Sequence, residues 1–203
     1  FVDETRVSSF YELGKRLIDL IGSVVGISIF FLTLPLISLA VVLETGFPIF
    51  YGQDRLGRGG KTFTIYKFRT MFQDAEADGE AKLAQKDDPR ITRVGNILRK
   101  TRLDEFPQFF NVLRGEMSLA GPRAEREKFV VHFQKEIPFY RARLLVKPGI
   151  SGWAQITQGY ASSTFDTGIK LEYDLYYIKH RTIGMDLTIL LRTFGTVFGF
   201  KGR

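Results

Sequence analysis

A long uncharged run near the amino terminus constrains the fold of this chain more than any other feature. Between Asp19 and Glu44 lie 24 residues without a charged side chain, more than the roughly 20 residues that a helix needs to cross a bilayer. Pro35 lies deep inside the run, and proline removes a backbone donor and clashes with the preceding turn. The sequence therefore predicts a membrane helix that breaks near Leu34 and turns back, with both ends on one face of the membrane.

Two other structures fit the same run. Hydropathy alone favours a kinked helix that spans the bilayer, and a buried helix of a soluble core is the third alternative. Basic residues flank both ends, so the charge asymmetry that orients a spanning helix selects neither side. These residues are Lys15, Arg16, Arg55, Arg58 and Lys61. The length of the run and its internal proline exclude a cleaved secretory signal, so the segment is expected to stay in the mature protein.

The composition limits the chemistry that the chain can perform. Its 203 residues carry 29 Lys and Arg against 22 Asp and Glu, and the net charge of +7 favours polyanionic partners such as anionic lipid, nucleotide or nucleic acid. With no Cys and only two His, disulfides, thiolate nucleophiles and Cys-bound zinc are excluded, and a multi-histidine metal site is disfavoured. The groups that remain for catalysis are carboxylates, hydroxyls and cationic side chains. Because Phe1 rather than Met begins the chain, we expect a longer parent protein.

Two short strands around a glycine-rich turn follow the apolar run. Residues 49–51 and 63–66 are β-branched or aromatic, and residues 57–60 include three glycines, a pattern that predicts a β-hairpin. Lys67 and Arg69 are expected to project from the end of the second strand as a cationic tip. Solvated charges on an edge strand are the alternative. The charged, alanine-rich residues that come next, 74–88, predict a lid or linker.

The adjacent carboxylates Asp104 and Glu105 lie in a basic, aromatic segment bounded by turns. Arg99 and Arg102 share one face of a predicted helix that leads into the pair, and Pro107 suits the first turn of the next helix. The pair is thus placed at a helix N-terminus, where the helix dipole favours bound anions. Carboxylates beside guanidinium groups suit a metal ion and phosphates, so this is the candidate reaction centre. The alternative is that Asp104 only caps the helix.

Five sequence motifs follow one another along the chain. They are Lys67-Phe-Arg-Thr-Met71, Leu103-Asp-Glu-Phe-Pro-Gln108, Asn111-Val-Leu-Arg-Gly-Glu-Met-Ser-Leu-Ala-Gly-Pro-Arg123, Val146-Lys-Pro-Gly-Ile-Ser-Gly-Trp-Ala-Gln155 and Tyr173-Asp-Leu-Tyr-Tyr177. Together they resemble the bacterial sugar transferases, the monotopic phosphoglycosyl transferases, from about Tyr11 to the C-terminus. The long members that initiate exopolysaccharide and O-antigen assembly, which carry extra N-terminal membrane helices, resemble this chain most, through residues 123–129 and 159–161.

The chain departs from the family pattern at two positions. Ala124 follows Arg123 where the family usually has a second proline, and Leu34 precedes Pro35 where most members have serine. The first departure removes a rigid turn beside a motif arginine. The second means that Thr33 or a nearby serine must supply the hydroxyl that eases the expected break.

The resemblance implies transfer of a sugar 1-phosphate from a UDP-sugar to polyprenol (undecaprenyl) phosphate, with release of UMP. By motif position, Asp104 would be the nucleophile that forms a covalent aspartyl phosphosugar, and Glu105 would be its partner in the dyad. A carboxylate is ionised at neutral pH and can form an acyl phosphate. Mg²⁺ at Asp104 would offset its repulsion from the diphosphate, while Lys67, Arg69 and Arg99 would stabilise developing charge.

The resemblance also implies further binding residues. Arg123, Lys147, Trp153 and Asp174 occupy motif positions and are candidates for substrate binding. Trp153 either stacks on the nucleotide base or fills the core, and the sequence does not separate these roles.

The implied fold is α+β and mainly helical, a compact monotopic domain with a small β-hairpin and interfacial amphipathic helices. Residues 11–45 would form a re-entrant helix, break and helix, and residues 46–203 the catalytic domain on the cytoplasmic face of the bacterial inner membrane. Residues 129–133 and 187–198 are candidates for interfacial contact, with ordinary core packing as the alternative.

Two other functions fit the same residues. A membrane-tethered, non-enzymatic polyanion binder would use the positive charge, with the carboxylate pair only a cap. A nuclease or phosphatase would use the same carboxylates for hydrolysis without a lipid acceptor. For the transferase, the expected partners are a UDP-sugar, polyprenol phosphate and the inner leaflet, not nucleic acid, and a homodimer stays open. No motif predicts which sugar is transferred.

Overall fold

Helices arranged around two small sheets make up the chain, and the computed structural model describes residues 8–75, 88–158 and 163–198. The helices in these residues are α1 Ser9–Thr45, α2 Arg93–Lys100, α3 Phe109–Arg114, α4 Glu127–Glu136, α5 Trp153–Thr157, α6 Thr164–His180 and α7 Ile183–Phe198. The strands are β1 Phe50–Leu56, β2 Thr62–Phe68, β3 Ser118–Ala120 and β4 Gly149–Ser151. The mainly helical class is confirmed. Most of the predicted lid, 74–88, and the segment 159–161 lie outside the described residues.

The first helix, α1, continues through Pro35 as a single helix of 37 residues. The break and reversal predicted near Leu34 are not found in it. Thr33 Oγ1 donates a hydrogen bond to Ile29 O at 2.9 Å, one turn before the proline, within an unbroken helix.

Packing on both sides of Pro35 explains why α1 stays intact. Its buried positions recur from Tyr11 to Val41, and those after the first half join β2 and α2 in one cluster. This cluster consists of Phe30, Ile37, Val41, Phe68 and Leu98. Burying an apolar side chain contributes about 1.5–3 kcal/mol, so three from α1 exceed the roughly 3 kcal/mol that an interior proline costs. Tertiary contacts thus override the local signal.

The opposite face of α1 is apolar and exposed. Its exposed residues are Phe10, Leu13, Leu17, Ile21, Val24, Val25, Ile29, Phe31, Leu32, Leu36, Leu39 and Leu43. By length and composition the helix could cross a membrane. A continuous apolar surface of this extent marks a contact with a membrane or another protein.

Polar contacts hold both ends of α1 on the same body. Near the N-terminal end, Lys15 Nζ lies 3.0 Å from Asp186 Oδ2 of α7. Near the C-terminal end, Glu44 Oε1 accepts a hydrogen bond from Arg93 N at 2.7 Å, at the start of α2. The two ends of the apolar helix are therefore tied to one folded unit.

The predicted hairpin is confirmed, since β1 and β2 pair antiparallel over their full length. Its turn contains Gly59 and Gly60 with φ of 70° and 78°, a left-handed conformation that favours glycine. The second sheet is parallel and pairs β3 with β4. It brings the chain after β3, which carries Arg123, beside Gly149 of β4.

The two segments considered for interfacial contact behave differently. In α4, Val130 and Phe133 are buried in the core, so for these side chains the core-packing alternative is correct. In α7, Leu187, Leu191 and Phe194 are exposed. Val131 is the exposed apolar residue of α4, so of these two segments α7 presents the larger exposed apolar surface, as an interfacial helix requires.

Candidate active site

Asp104 and Glu105 lie in a short 3-10 helix, Leu103–Gln108, that leads directly into α3. Both residues are buried, with relative exposures of 7% and 6%. Arg102 precedes them with a φ of 59°, and this left-handed residue redirects the chain after α2. The predicted place of the pair at a helix start is confirmed. Arg102 and Arg99 do not share a helix face as predicted, because α2 has already ended.

Three cations surround Glu105. Its Oε1 accepts hydrogen bonds from Lys67 Nζ at 2.5 Å and Arg123 Nη2 at 3.0 Å, and Arg102 Nη1 lies 3.8 Å from its Oε2. Burial acts to raise the pKa of Glu105, but these cations outweigh burial and hold the pKa of that carboxyl well below its usual range. Burial lowers the pKa of Lys67, while its short contact with the ionised carboxylate favours the charged ammonium. Glu105 is thus an anion fixed by its partners.

Asp104 has a different environment from its neighbour. Within residues 8–75, 88–158 and 163–198, no group donates a hydrogen bond to its carboxylate. Burial and the charge of Glu105 raise the pKa of Asp104 to about 6, against the opposing effects of Lys67, Arg99 and Arg123. Cations therefore hold the carboxylate of Glu105, whereas the carboxylate oxygens of Asp104 are available to bind a ligand.

The cations near Asp104 and Glu105 come from three separate elements. Lys67 lies on β2, and its direction is fixed by the pairing of β2 with β1. Arg99 lies in the last turn of α2. Arg123 lies just after β3. Positive charge from distant parts of the chain thus converges on two adjacent carboxylates, an arrangement suited to phosphate groups.

A buried ion pair supports the segment that carries Arg123. Arg143 Nη2 lies 2.8 Å from Asp174 Oδ2 and donates to the backbone oxygen of Arg123 at 3.2 Å. Burial raises the pKa of Asp174 to about 6, although Arg143 opposes the shift. Asp174 therefore connects to the carboxylate pair through Arg143, and direct substrate binding by Asp174 stays a prediction.

Three other residues expected to bind substrate contact other parts of the domain. Arg69 is buried and donates a hydrogen bond to Thr45 Oγ1 at 2.7 Å, at the C-terminal end of α1. Lys147 lies beside the turn that follows α3. Trp153 is partly buried and packs against the core cluster that includes Tyr177 and Ile189, and it stacks on the half-exposed ring of Tyr176 with centroids 6.4 Å apart. A role in substrate binding stays a prediction for all three.

A narrow recess opens beside Lys67 and Arg123, the two cations that donate to Glu105. Its walls are Arg55, Ile65, Lys67, Gln108, Met117, Arg123, Ala124 and Gly149. The sequence did not place Arg55, Gln108 or Arg143 in this site. Gln108 ends the motif that contains both carboxylates, which is a signal that could have identified it. Nothing local marks Arg143, whose partner Asp174 lies 31 positions further along the chain.

The donor set at Asp104 is compatible with Mg²⁺ only if substrate contributes ligands. Within the described residues, no group of three or more His, Cys, Asp or Glu is placed to hold a metal ion. Mg²⁺ is commonly held by one or two carboxylates together with substrate phosphates and water. The unbonded carboxylate of Asp104 meets that requirement, whereas Glu105 is already engaged by cations.

Fold and site together define a domain with a long apolar helix and a buried carboxylate pair among converging cations. The chain belongs to the bacterial sugar transferase family, because the model of that family matches residues 10–200. The family that the five motifs resemble is therefore confirmed.

Three relatives of this chain have names that state an activity. The chain is 47% identical to the UDP-N-acetylgalactosamine-undecaprenyl-phosphate N-acetylgalactosaminephosphotransferase of Aeromonas hydrophila, over 97% of this chain and 46% of that protein. It is 38% identical to the UDP-glucose:undecaprenyl-phosphate glucose-1-phosphate transferase of Escherichia coli (strain K12), over 94% of this chain and 41% of the relative. A protein of the same name from Xanthomonas campestris pv. campestris is 36% identical, over 95% of this chain and 40% of its own length. The chain thus spans less than half the length of these relatives.

Proposed function

We propose that this domain transfers a sugar 1-phosphate from a UDP-sugar to undecaprenyl phosphate and releases UMP. The observation that carries the proposal is the contrast between Asp104, which has no hydrogen-bond donor among the described residues, and Glu105, which cations hold. The names of the relatives support the reaction class, since each is a sugar-phosphate transferase that uses undecaprenyl phosphate. Those names include two different sugars, so the proposal leaves the sugar unspecified.

In the first half-reaction, a carboxylate oxygen of Asp104 attacks the phosphorus that bears the sugar. A new oxygen–phosphorus bond forms, the bond between this phosphorus and the bridging oxygen breaks, and UMP leaves with the electron pair. The product is an acyl phosphate on Asp104. Lys67, Arg99 and Arg123 act on this step by stabilising the negative charge that develops on the phosphate oxygens.

In the second half-reaction, an oxygen of polyprenol phosphate attacks the same phosphorus. The bond to Asp104 breaks, the carboxylate is restored, and the polyprenyl diphosphate sugar departs. Glu105 takes no part in bond making; it holds Lys67 and Arg123 in place through its Oε1. The different roles, nucleophile for Asp104 and positioning residue for Glu105, explain why two adjacent carboxylates have different electrostatic environments.

Mg²⁺ fits this scheme as a partner of Asp104 and the substrate phosphates. When bound, the ion supplies charge neutralisation and polarisation of the phosphorus. The residues around it would orient the diphosphate through their own positive charge, since Lys67 of β2 and Arg99 of α2 precede the pair in the sequence and Arg123 follows it.

A monotopic placement of α1 is part of the proposal, with the helix held against one leaflet and the catalytic face at the cytoplasmic side of the inner membrane. At 1.5 Å per residue, a helix of 37 residues has a length of about 55 Å, which exceeds the roughly 30 Å hydrocarbon core. Both of its ends contact one charged body through Lys15 and Glu44, and that body cannot lie on both sides of a bilayer. The exposed apolar face supports insertion into a single leaflet, next to a lipid acceptor.

Release of UMP tests the reaction. The full chain with Mg²⁺, a panel of UDP-sugars and polyprenol phosphate is expected to liberate UMP with one sugar, and Asp104→Asn is expected to abolish both turnover and a phosphosugar adduct in intact-protein mass spectrometry. Asp74→Asn, a change of the same kind at an exposed turn, is the matched control. Turnover by the Asp104 variant would remove this residue from its assigned role, and binding of UDP-sugar without turnover would favour the polyanion binder.

Cysteine labelling tests the placement of α1, and the absence of native Cys gives a clean background. Single cysteines at the exposed positions Glu12 and Lys61 should both react with an impermeant reagent from the cytoplasmic side. Labelling from opposite sides would establish a spanning helix instead.

A further inference from the structure

The side-chain amide of Gln108 is a buried donor without a partner. Gln108 is only 4% exposed, and its Nε2 has no hydrogen-bond partner among the described residues. Leaving a buried polar group unpaired is costly, and such groups in folded proteins need an explanation. A ligand that accepts the hydrogen bond provides one.

The surroundings of Gln108 specify the charge of such a ligand. The recess that Gln108 lines also has walls from Arg55, Lys67 and Arg123, so three cations and one amide face the same small space. Arg55 Nε is also buried without a hydrogen-bond partner in the described part of the chain. The recess has room for about one water-sized group, so it can accept a single oxygen. The surrounding cations and unpaired N–H donors favour an oxygen that belongs to an anion such as a phosphate.

The position of Gln108 in the 3-10 helix places it beside the reaction centre. With three residues per turn, positions i and i+3 of a 3-10 helix lie on the same side, so Gln108 lies on the side of Glu105. Glu105 in turn holds Lys67 and Arg123, which are walls of the same recess. The amide thus joins the cations that face the diphosphate in the proposed reaction.

We propose that Gln108 is a further substrate-binding residue whose amide donates to one oxygen of a phosphate monoester, and that this oxygen enters the recess while the rest of the phosphate lies at its mouth. The inference rests on the proposed function and makes it more specific. In the first half-reaction the group that leaves opposite Asp104 is the phosphate of UMP, and in the second the group that attacks from that side is polyprenol phosphate. Both are phosphate monoesters, so one recess serves them in turn.

Binding of UMP to the full chain in detergent, measured by calorimetry without lipid, tests the first occupant. Gln108→Glu keeps the size but places an anion in the recess, and Gln108→Met keeps the length but removes the donor. We expect UMP affinity to fall about 10- to 100-fold, since a hydrogen bond to a charged group is lost. The KM for polyprenol phosphate should rise in both variants, which tests the second occupant.

Stability measurements separate this role from a structural one. Gln108→Met removes an unpaired buried amide, so its melting temperature should equal or exceed that of the wild type. Gln134→Glu, the same charge change on the exposed face of α4, is the matched control and should leave UMP binding unchanged. Wild-type UMP affinity in both Gln108 variants, or a lowered melting temperature with unchanged affinity, would overturn the inference.

The two proposals can fail separately. If the protein releases UMP but the Gln108 variants bind UMP normally, the reaction stands and the role of Gln108 is wrong. If no sugar nucleotide is turned over but Gln108→Glu still weakens UMP binding, the recess binds phosphate and the proposed reaction is wrong.

Discussion

Lys67 Nζ donates to Glu105 Oε1 at 2.5 Å, and Arg123 Nη2 donates to the same oxygen at 3.0 Å. One buried carboxylate oxygen therefore fixes two cations that arrive from different elements. Asp104, one residue earlier, accepts no hydrogen bond from the described residues and has a pKa raised to about 6. The roles of the two carboxylates differ because their neighbours differ, and several predictions can be made from that contrast.

The first prediction concerns the pH dependence of kcat/KM, which reports ionisations of the free enzyme. Because Asp104 must be ionised to attack and its pKa is about 6, kcat/KM should fall below that pH, approaching tenfold per pH unit, and level off above it. Glu105→Gln removes a charge that raises the pKa of Asp104, so the acid limb should move to lower pH. Arg99→Gln removes a charge that lowers this pKa, so the limb should move to higher pH.

The opposite directions of these two shifts make the test specific. A general loss of folding would lower the rate of both variants without moving their limbs apart. If the acid side of the kcat/KM profile lay at the same pH in both variants as in the wild type, a group other than Asp104 would control the pH dependence. Steady-state UMP release between pH 5 and 8 supplies the measurement.

The second prediction concerns the buried ion pair of Lys67 and Glu105, whose side chains are 18% and 7% exposed. Removing one partner leaves an uncompensated charge, so Lys67→Met and Glu105→Gln should each lower the free energy of unfolding by about 3 kcal/mol. The double variant should lose clearly less than the sum, since contacting residues couple by about 0.5–3 kcal/mol. Chemical denaturation in detergent measures all four proteins, and strict additivity would contradict a direct interaction.

Local signals in the sequence predicted a large part of this site. Pro107 and the acidic pair place a helix start at the right position, and the glycines near residue 59 predict the hairpin that orients Lys67. These features depend on a few neighbouring residues whose backbone preferences are strong. The position of a nucleophile candidate could therefore be found from sequence.

Other features depend on tertiary packing and could not be predicted. Pro35 favours a break, but buried contacts on both sides keep α1 helical. Lys67 and Arg69 are two positions apart, and an extended strand would place both side chains on one face. The strand β2 ends at Phe68, however, and Arg69 contacts Thr45 while Lys67 contacts Glu105. The pairing of Arg143 with Asp174 joins positions that no sequence pattern links.

The third prediction separates two roles for Arg69. This residue donates to Thr45 Oγ1 at 2.7 Å and to the Thr45 carbonyl at 3.1 Å, contacts that tie the end of β2 to the end of α1. Arg69→Met should therefore lower the free energy of unfolding by about 1–3 kcal/mol and leave the KM for the UDP-sugar unchanged. Unchanged stability with a raised KM would instead support the substrate-binding role that the sequence predicts.

The fourth prediction concerns Gly95 of α2, where the helix lies directly against the backbone of Thr70. A β-carbon added at Gly95 would lie 2.1 Å from Thr70 O, so Gly95→Ala should displace α2 together with Arg99. We expect a loss of about 1–3 kcal/mol in stability and a lower kcat/KM. Gly168→Ala in α6 is the matched control, because nothing lies within 4 Å of its added β-carbon and alanine should stabilise the helix by up to about 1 kcal/mol. If thermal unfolding in detergent placed both variants at or above the wild type, α2 would not depend on this close approach.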